Sequence, residues 1–253
     1  MSGPARKDGT AGIVVIGDEI LSGKTRDENA SFLIGELRAL GVALRAVAVI
    51  PDVEDEIAHT VRAFSDRYQH VFTSGGVGPT HDDLTMAGIA RGFGTRVVRH
   101  PHLEQLLRAF YGDRLAERDL RMAEVPEGVT LVDAEHKNWP VPCYDNVYIL
   151  PGIPEIFRRK FLGIRERFRS APFHLATVLT TSDESRIAAH LDAIAAGFPS
   201  VAVGSYPRIT PDGSVEWKVK VTLESKDAAL VDTATAALTE RLGPTTIVST
   251  TRT

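Results

Sequence analysis

The loop spanning residues 73–85 holds the densest set of side chains that could do chemistry. Three glycines, Gly75, Gly76 and Gly78, fall within this short stretch and let the backbone turn sharply and come close to a ligand. Successive N–H groups in such a loop, at the start of a helix, can form a nest that binds an anion. The loop therefore predicts a phosphate cradle. It is not the dinucleotide fingerprint, because that motif needs a third glycine after residue 78.

Two carboxylates, Asp82 and Asp83, stand beside this cradle. They would repel a polyphosphate by several kcal/mol in a partly dry site unless a cation lies between them. Mg²⁺ or Mn²⁺ takes one or two carboxylates and completes its octahedron with water and phosphate oxygens, so a divalent cation resolves the conflict. A second interpretation is that Thr80 and Asp83 form a capping box for the following helix. His81 is a candidate acid or base beside the phosphate or metal.

The loop after the first predicted strand is also acidic. Asp18 and Glu19 follow Gly17 and offer carboxylate oxygens at the carboxyl end of that strand; the alternative is a polar loop whose acids only meet solvent. The Gly-Lys-Thr of residues 23–25 resembles a P-loop, but the spacing between its glycines is one residue too long for that motif. Asp52 opens a helix after the second strand, where it is either an N-cap or a neighbour of the same cleft.

A third loop follows the last predicted strand of this region, at Pro151 and Gly152. Its glycine allows the chain to approach a ligand or to pass the sheet edge closely. A plain strand-to-helix turn, with Pro154 at the first helical position, explains the same residues.

The elements that must position these loops alternate along the chain. Short β-branched apolar runs predict strands at residues 12–16, 42–50, 70–74 and 146–150, and helical periodicity predicts helices at residues 28–40, 53–64, 82–92 and 103–117. This order predicts a three-layer α/β/α sandwich with a mostly parallel sheet, in which ligands bind at the carboxyl ends of the strands.

The pattern changes after about residue 163. Strands at residues 174–180, 201–206 and 216–223 and helices at residues 184–196 and 227–242, with a turn at residues 211–213, give the order β-α-β-β-α. That order predicts a small α+β domain of ferredoxin-like type. We therefore predict a loose tail at residues 1–10, a main domain at residues 11–165 and a second domain at residues 170–253.

Composition excludes several classes of protein. The 253 residues carry 29 Lys plus Arg against 33 Asp plus Glu, and this acidic balance argues against nucleic acid as the main partner. The longest apolar runs are far shorter than the roughly 20 residues of a membrane helix. The one cysteine, Cys143, cannot form an internal disulfide and has no visible activating partner. We expect it to be a small buried hydrophobe in a cytoplasmic protein.

The residues of all three loops, with Asp27 and Asn29, together resemble the molybdopterin-binding (MoaB/Mog-like) domain family in its CinA-like branch, over about residues 11–165. The later segments 204–207 and 217–223 are similar to the tail of the molybdopterin-binding-like domain of FAD synthases. The resemblance implies a sandwich that forms homo-oligomers. In the cofactor-synthesis branch, the site binds molybdopterin and supports its adenylylation. In the CinA and FAD-synthase branches, the cleft is associated with cleaving the pyrophosphate of ADP-ribose or FAD with Mg²⁺, Mn²⁺ or Co²⁺, and K⁺.

Within the resemblance, Asp83 aligns with the acid that the cofactor-synthesis branch uses in its chemistry, Asp52 matches a second acid, and Asp82 replaces a basic residue. CinA-type chains carry a Gly-Thr-Ala-Pro-Gly-like loop near residues 135–142, and this chain does not. Its wall for ADP-ribose therefore departs from the CinA pattern, whereas residues 146–148 are closer to the FAD-synthase form.

We expect a metal-dependent hydrolase of a nucleotide pyrophosphate, of the FAD or ADP-ribose class. The alternatives are a molybdopterin-binding and adenylylating protein, or a noncatalytic nucleotide-binding module. The expected partner is a small nucleotide or pterin phosphate, without nucleic acid or membrane. The predicted roles are ligand binding by Gly17, Asn29, Ser74, Gly75, Gly76, Gly78, Thr80, Pro151 and Gly152, metal binding by Asp18, Glu19, Asp82 and Asp83, and catalysis by Asp52, His81, Asp82 and Asp83.

Overall fold

A computed structural model describes residues 7–132, 139–208 and 216–253. The chain divides into two compact units, with the boundary between Ser170 and Ala171. Among the described residues, no helix combines the length and the apolar character that crossing a membrane requires.

The first unit contains eight strands and six α-helices in its described part, joined by loops and short 3₁₀ turns. They are β1 (Lys7–Ile16), α1 (Asp18–Leu21), α2 (Asn29–Ala39), β2 (Ala43–Ile50), α3 (Glu54–Arg67), β3 (Tyr68–Ser74), α4 (Thr85–Gly92), β4 (Val97–Arg99), α5 (Pro101–Tyr111), β5 (Glu124–Pro126), β6 (Thr130–Val132), β7 (Val141–Tyr144), β8 (Val147–Leu150) and α6 (Pro154–Ile164).

The main sheet has the strand order β2-β1-β3-β8-β7-β6. Its first four strands are parallel neighbours, and β7 and β6 add an antiparallel edge. Alternate residues of β1 enter two different cores: Ile13 packs in the cluster that includes residues of α2 and α6, and Val14 packs in the cluster of α3 and α4. The sheet is therefore covered on both faces, and the predicted three-layer sandwich is confirmed.

Several boundaries differ from the prediction. β1 begins at Lys7, and Thr10 is buried and pairs with Ala43, so residues 7–10 belong to the strand rather than to a loose tail. The helix predicted over residues 103–117 ends at Tyr111, where Gly112 takes a φ of 54° and starts a 3₁₀ turn. The prediction also missed β7, which contains Pro142 and forms a hairpin with β8.

Cys143 lies on β7 in the buried core of this unit. Burial raises the pKa of its thiol to about 11, so the reactive thiolate is scarce at neutral pH. The prediction of a small buried hydrophobe is confirmed.

The second unit contains β9 (His174–Thr180), α7 (Glu184–Gly197), β10 (Ala202–Pro207), β11 (Val219–Ser225), α8 (Ala228–Leu242) and β12 (Ile247–Arg252). The four strands form an antiparallel sheet in the order β10-β11-β9-β12. This is the ferredoxin-like arrangement that the sequence predicted, completed by the strand β12 that the prediction lacked. The turn predicted at residues 211–213 lies outside the described residues.

Candidate functional site

The predicted loops meet at one edge of the main sheet, because the strands before them are parallel and end together. The N–H of Gly17, after β1, donates to the carbonyl of Ile50 at the end of β2 (3.1 Å). The N–H of Gly75, after β3, donates to the carbonyl of Leu150 at the end of β8 (3.2 Å). A Cβ added at Gly152 would lie 3.4 Å from the Cα of Gly75, so the loop of residues 73–85, which we call the glycine loop, is in direct contact with the third loop.

Asn29 joins three parts of this edge. It is buried at the start of α2, and its Nδ2 donates to the Ser74 hydroxyl and to the Gly152 carbonyl, both at 2.8 Å. Its Oδ1 is also buried and has no hydrogen-bond partner among the described residues. Buried acceptors in proteins nearly always have a donor, so this oxygen is suited to a donor from a ligand or a water. Nearby, the Asp27 carboxylate accepts from the N–H groups of Asn29 and Ala30 and caps the helix.

The glycine loop requires its glycines. Gly75 and Gly76 have φ of 105° and 63°, a region that residues with a side chain rarely adopt. A Cβ at Gly75 would lie 2.1 Å from the carbonyl oxygen of Ile16, and one at Gly76 would lie 2.4 Å from the Thr85 hydroxyl. That buried hydroxyl donates to the Gly75 carbonyl (2.8 Å) and fixes the turn against the start of α4.

Asp83 holds the other end of this loop. Its Oδ1 accepts from the N–H of Gly78 (2.6 Å), and its Oδ2 accepts from the N–H (2.8 Å) and the hydroxyl (2.5 Å) of Thr80. Both carboxylate oxygens are therefore used within the loop. The capping-box interpretation found the Thr80–Asp83 contact, but α4 begins only at Thr85, so the contact shapes the loop rather than the helix end.

Four other acids, Asp18, Glu19, Asp52 and Asp82, form what we call the acidic group. The Oδ2 of Asp52 accepts from the N–H of Asp18 (2.9 Å), which fixes the loops after β1 and β2 to each other. Burial raises the pKa of Asp52, and the negative charges of Glu19, Asp18 and Asp82 raise it further, against the lowering effect of that hydrogen bond. Asp52, which the sequence predicted as an N-cap or a neighbour of the cleft, is not the N-cap of α3, and its pKa is raised by the other three acids.

A metal held by the protein alone is not supported. Within the described ranges, no three His, Cys, Asp or Glu side chains gather into a cluster that could hold an ion. The metal site of Asp18, Glu19, Asp82 and Asp83 stays a prediction, and in the structure the Asp83 carboxylate turns into the loop. The acidic group does fit a cation of the Mg²⁺ type, which needs only one or two carboxylates and takes its other ligands from phosphate and water.

Two other parts of the predicted loops, His81 and residues 23–25, lie at the surface. His81 is at the surface with 96% of its side chain exposed, and its Nδ1 lies 3.8 Å from Asp82 Oδ1. The Gly-Lys-Thr of residues 23–25, whose spacing already argued against a P-loop, lies in an exposed and non-helical stretch, and α2 begins only at Asn29.

The prediction from sequence missed an apolar cavity of about 510 Å³ beside the glycine loop and the third loop, which contribute Val77 and Pro151 to its lining. Trp139 and Lys160 also line it, and the Lys160 ammonium donates to the carbonyls of Trp139 (2.7 Å) and Pro140 (3.2 Å). Burial, and secondarily the charge of Arg159, lowers the pKa of Lys160 to about 8. The only sequence signal was the departure from the CinA loop near residues 135–142, of which residues 135–138 lie outside the described residues.

Comparison with known proteins covers both units. The family described as the probable molybdopterin binding domain matches residues 12–170, and the family described as the FAD synthase middle domain matches residues 172–251. A probable FAD synthase of Caenorhabditis elegans is 33% identical over 267 residues, which cover 94% of this chain and 50% of that protein. A CinA-like protein of Gemmatimonas aurantiaca is 33% identical over 249 residues, which cover 91% of this chain and 58% of that protein.

Among solved structures, the protein CinA of Thermoplasma acidophilum, whose function is unknown, superposes with a TM-score of 0.58 at 28% identity. The match covers 63% of this chain and 98% of that one. The chain spans about half the length of the nematode relatives that it matches.

Proposed function

Because the chain belongs to the molybdopterin-binding domain family and carries a second unit of the FAD synthase middle-domain type, we propose that it hydrolyses a nucleotide pyrophosphate with the help of a divalent cation. The substrate class is FAD or ADP-ribose. The single observation that carries this proposal is the acidic group standing at the same sheet edge as the glycine loop.

The glycine loop supports diphosphate binding through its backbone. Asp83 occupies the N–H groups of Gly78 and Thr80, whereas the N–H groups of Gly76 and Val77 have no partner among the described residues. Two successive free donors beside backbone at positive φ are the elements of an anion nest. In this proposal Asp83 orients the loop, and the residues between Gly75 and Gly78 bind the phosphate oxygens.

The acidic group supports the cation. Burial raises the pKa of Asp52, and the negative charges of Glu19, Asp18 and Asp82 raise it further, which means that the ionised form of Asp52 is disfavoured without a counter-charge. A bound divalent cation would acidify a water and offset the charge that develops on the phosphoryl oxygens. Asp18, Glu19, Asp52 and Asp82 are the residues that would hold it next to the loop.

The test is AMP release. Purified protein is incubated with FAD or ADP-ribose and with Mg²⁺, Mn²⁺ or Co²⁺, and AMP is measured by chromatography. We expect cation-dependent release that falls roughly 10- to 100-fold or more in Asp52→Asn, by analogy with the loss of groups that support metal sites. Asp192→Asn, which removes an exposed acid of α7 in the second unit, is the matched control and should match the wild type. The proposal fails if no combination of substrate and cation gives AMP above the Asp52→Asn level.

The match of residues 12–170 to a probable molybdopterin binding domain also favours a second candidate function, which is molybdopterin binding and adenylylation. That function predicts ATP-dependent adenylylation of molybdopterin without net FAD hydrolysis. A noncatalytic module would instead bind nucleotide without a metal and without turnover, which calorimetry combined with the AMP assay identifies.

A further inference from the structure

The apolar cavity of the first unit adjoins the candidate site. Val77 lies inside the glycine loop and Pro151 begins the third loop, and both line the cavity of about 510 Å³. A volume in the range of roughly 300–1,000 Å³ is typical of pockets that bind small molecules. A ligand whose diphosphate lies on the glycine loop therefore has room to extend one of its halves into this cavity.

The walls of the cavity are aromatic and apolar. Besides Val77 and Pro151, they include Met86, Phe110, Tyr111 and Trp139. Such walls favour a flat apolar ring over a sugar, because ribose hydroxyls need several polar partners and these side chains supply only the Tyr111 hydroxyl and the Trp139 indole N–H. The cavity is thus poorly matched to the second ribose of ADP-ribose.

Lys160 gives the cavity one polar position. An ammonium carries three donors, and the carbonyls of Trp139 and Pro140 take two of them. The remaining donor has no partner among the described residues and is available to an acceptor within the cavity. Arg159 also lines the cavity and adds a second positive charge. The preferred occupant therefore has apolar ring faces and an edge of carbonyl or ring-nitrogen acceptors.

We propose that this cavity binds the isoalloxazine ring of FAD, with Trp139 forming part of its wall and Lys160 donating to the acceptor edge of the ring. The inference rests on the proposed function and deepens it, because it selects FAD over ADP-ribose as the substrate. It also assigns specificity to residues of α5, α6 and the segment before β7, which lie outside the three loops.

The chain provides its own fluorescent reporter. It contains two tryptophans, Trp139 in the cavity wall and Trp217 in the second unit, where the Arg208 guanidinium lies 5.1 Å from its ring centroid. Trp217→Phe leaves Trp139 as the only tryptophan, and Trp139→Phe is the matched control that leaves Trp217. Riboflavin is the probe, since it carries the ring without any phosphate, and adenosine is the competing nucleoside.

We expect riboflavin to quench the emission of the Trp217→Phe protein saturably, after correction with free N-acetyltryptophanamide, and not to quench the Trp139→Phe protein in this way. Adding Lys160→Met to Trp217→Phe should weaken riboflavin binding about 10-fold or more, as expected for loss of a charged hydrogen bond. Adenosine should neither quench nor compete. Absence of saturable quenching, equal quenching of both single-tryptophan proteins, unchanged binding in the Lys160→Met protein, or competition by adenosine would each overturn the inference.

The same proteins separate this inference from the proposed hydrolysis. Riboflavin binding should survive Asp52→Asn, which strongly lowers AMP release under the proposed function. Release of AMP without riboflavin binding would leave the hydrolase intact and remove the ring pocket. Riboflavin binding without any AMP release would support the ring pocket and contradict the proposed hydrolysis.

Discussion

The sharpest prediction concerns two adjacent acids, Asp82 and Asp83, which the structure gives different tasks. Asp83→Ala removes the acceptor of three hydrogen bonds, from the N–H of Gly78 and from the N–H and hydroxyl of Thr80. A net value of about 1 kcal/mol for each bond, reduced somewhat by partial exposure, gives a loss of about 2–3 kcal/mol in the free energy of unfolding. Asp82→Ala truncates an exposed side chain and should cost less than about 0.5 kcal/mol.

Urea unfolding of the Trp217→Phe protein measures this difference, because Trp139 then reports on the first unit alone. A signal from both units would mix two transitions and would not yield one free energy. AMP release is measured on the same preparations. We expect both substitutions to lower it, Asp83→Ala by distorting the loop and Asp82→Ala by weakening the acidic group. Asp83→Asn keeps one carbonyl acceptor and should be of intermediate stability.

The opposite result would be that Asp83→Ala is as stable as Asp82→Ala to within about 0.5 kcal/mol while AMP release is lost. Asp83 would then act directly on the cation or substrate, as the resemblance to the cofactor-synthesis branch implies, and its three hydrogen bonds would be incidental.

Three further predictions follow from single residues. Gly75→Ala should cost several kcal/mol and leave the first unit unfolded, because the new Cβ would lie 2.1 Å from a carbonyl oxygen at a φ of 105°; a protein with the wild-type urea midpoint would contradict this. Asp52→Asn should be more stable than the wild type at pH 7, because a pKa raised by folding means that the ionised carboxyl opposes folding. That advantage should disappear as the pH falls below the unfolded pKa near 4, and urea midpoints at pH 7 and pH 3.5 test it. The pKa of Lys160 is lowered to about 8, so its charge opposes folding below pH 8 and this penalty is relieved between pH 8 and 10.5. Relative to Lys160→Met, the free energy of unfolding of the wild type should therefore rise by up to about 3 kcal/mol between pH 8 and pH 10.5. A difference in the free energy of unfolding that does not change with pH would contradict this expectation.

The predictable parts of the fold are those in which successive residues are buried in similar apolar surroundings. The apolar run of β1 is buried on both faces, and its sequence carries that signal without reference to the rest of the chain. The prediction missed β7 and β12 because these segments form strands only through pairing with a partner strand. Pro142 lies within β7, and the residues of β12 are half-buried or exposed, so neither strand shows a clear local pattern.

The position of the site was predictable for a similar reason, since parallel strands must bring their following loops to one edge. The roles of individual acids were not. Asp82 and Asp83 are adjacent in sequence, yet the Asp83 carboxylate accepts three hydrogen bonds from loop donors, whereas Asp82 is exposed and its charge contributes to the raised pKa of Asp52. Spacing gives the position of a Cα and leaves open where the carboxylate oxygens point. The cavity could not be predicted from the sequence, because its walls include residues of α4, α5, α6 and the segment before β7, which only the folded chain brings together.

The electrostatics of the acidic group also bear on the difference between the branches of the family. The resemblance implies a basic residue in the cofactor-synthesis branch at the position of Asp82. A positive charge there would favour the ionised form of Asp52, whereas the negative charge of Asp82 disfavours it. The same exchange removes a direct partner for phosphate and adds a carboxylate that repels it. Both effects are reversed when a divalent cation lies between the acids and the diphosphate. In this chain the cation would therefore supply the positive charge that a side chain supplies in the other branch, which is why we expect phosphate binding and Asp52 ionisation to depend on the same added metal.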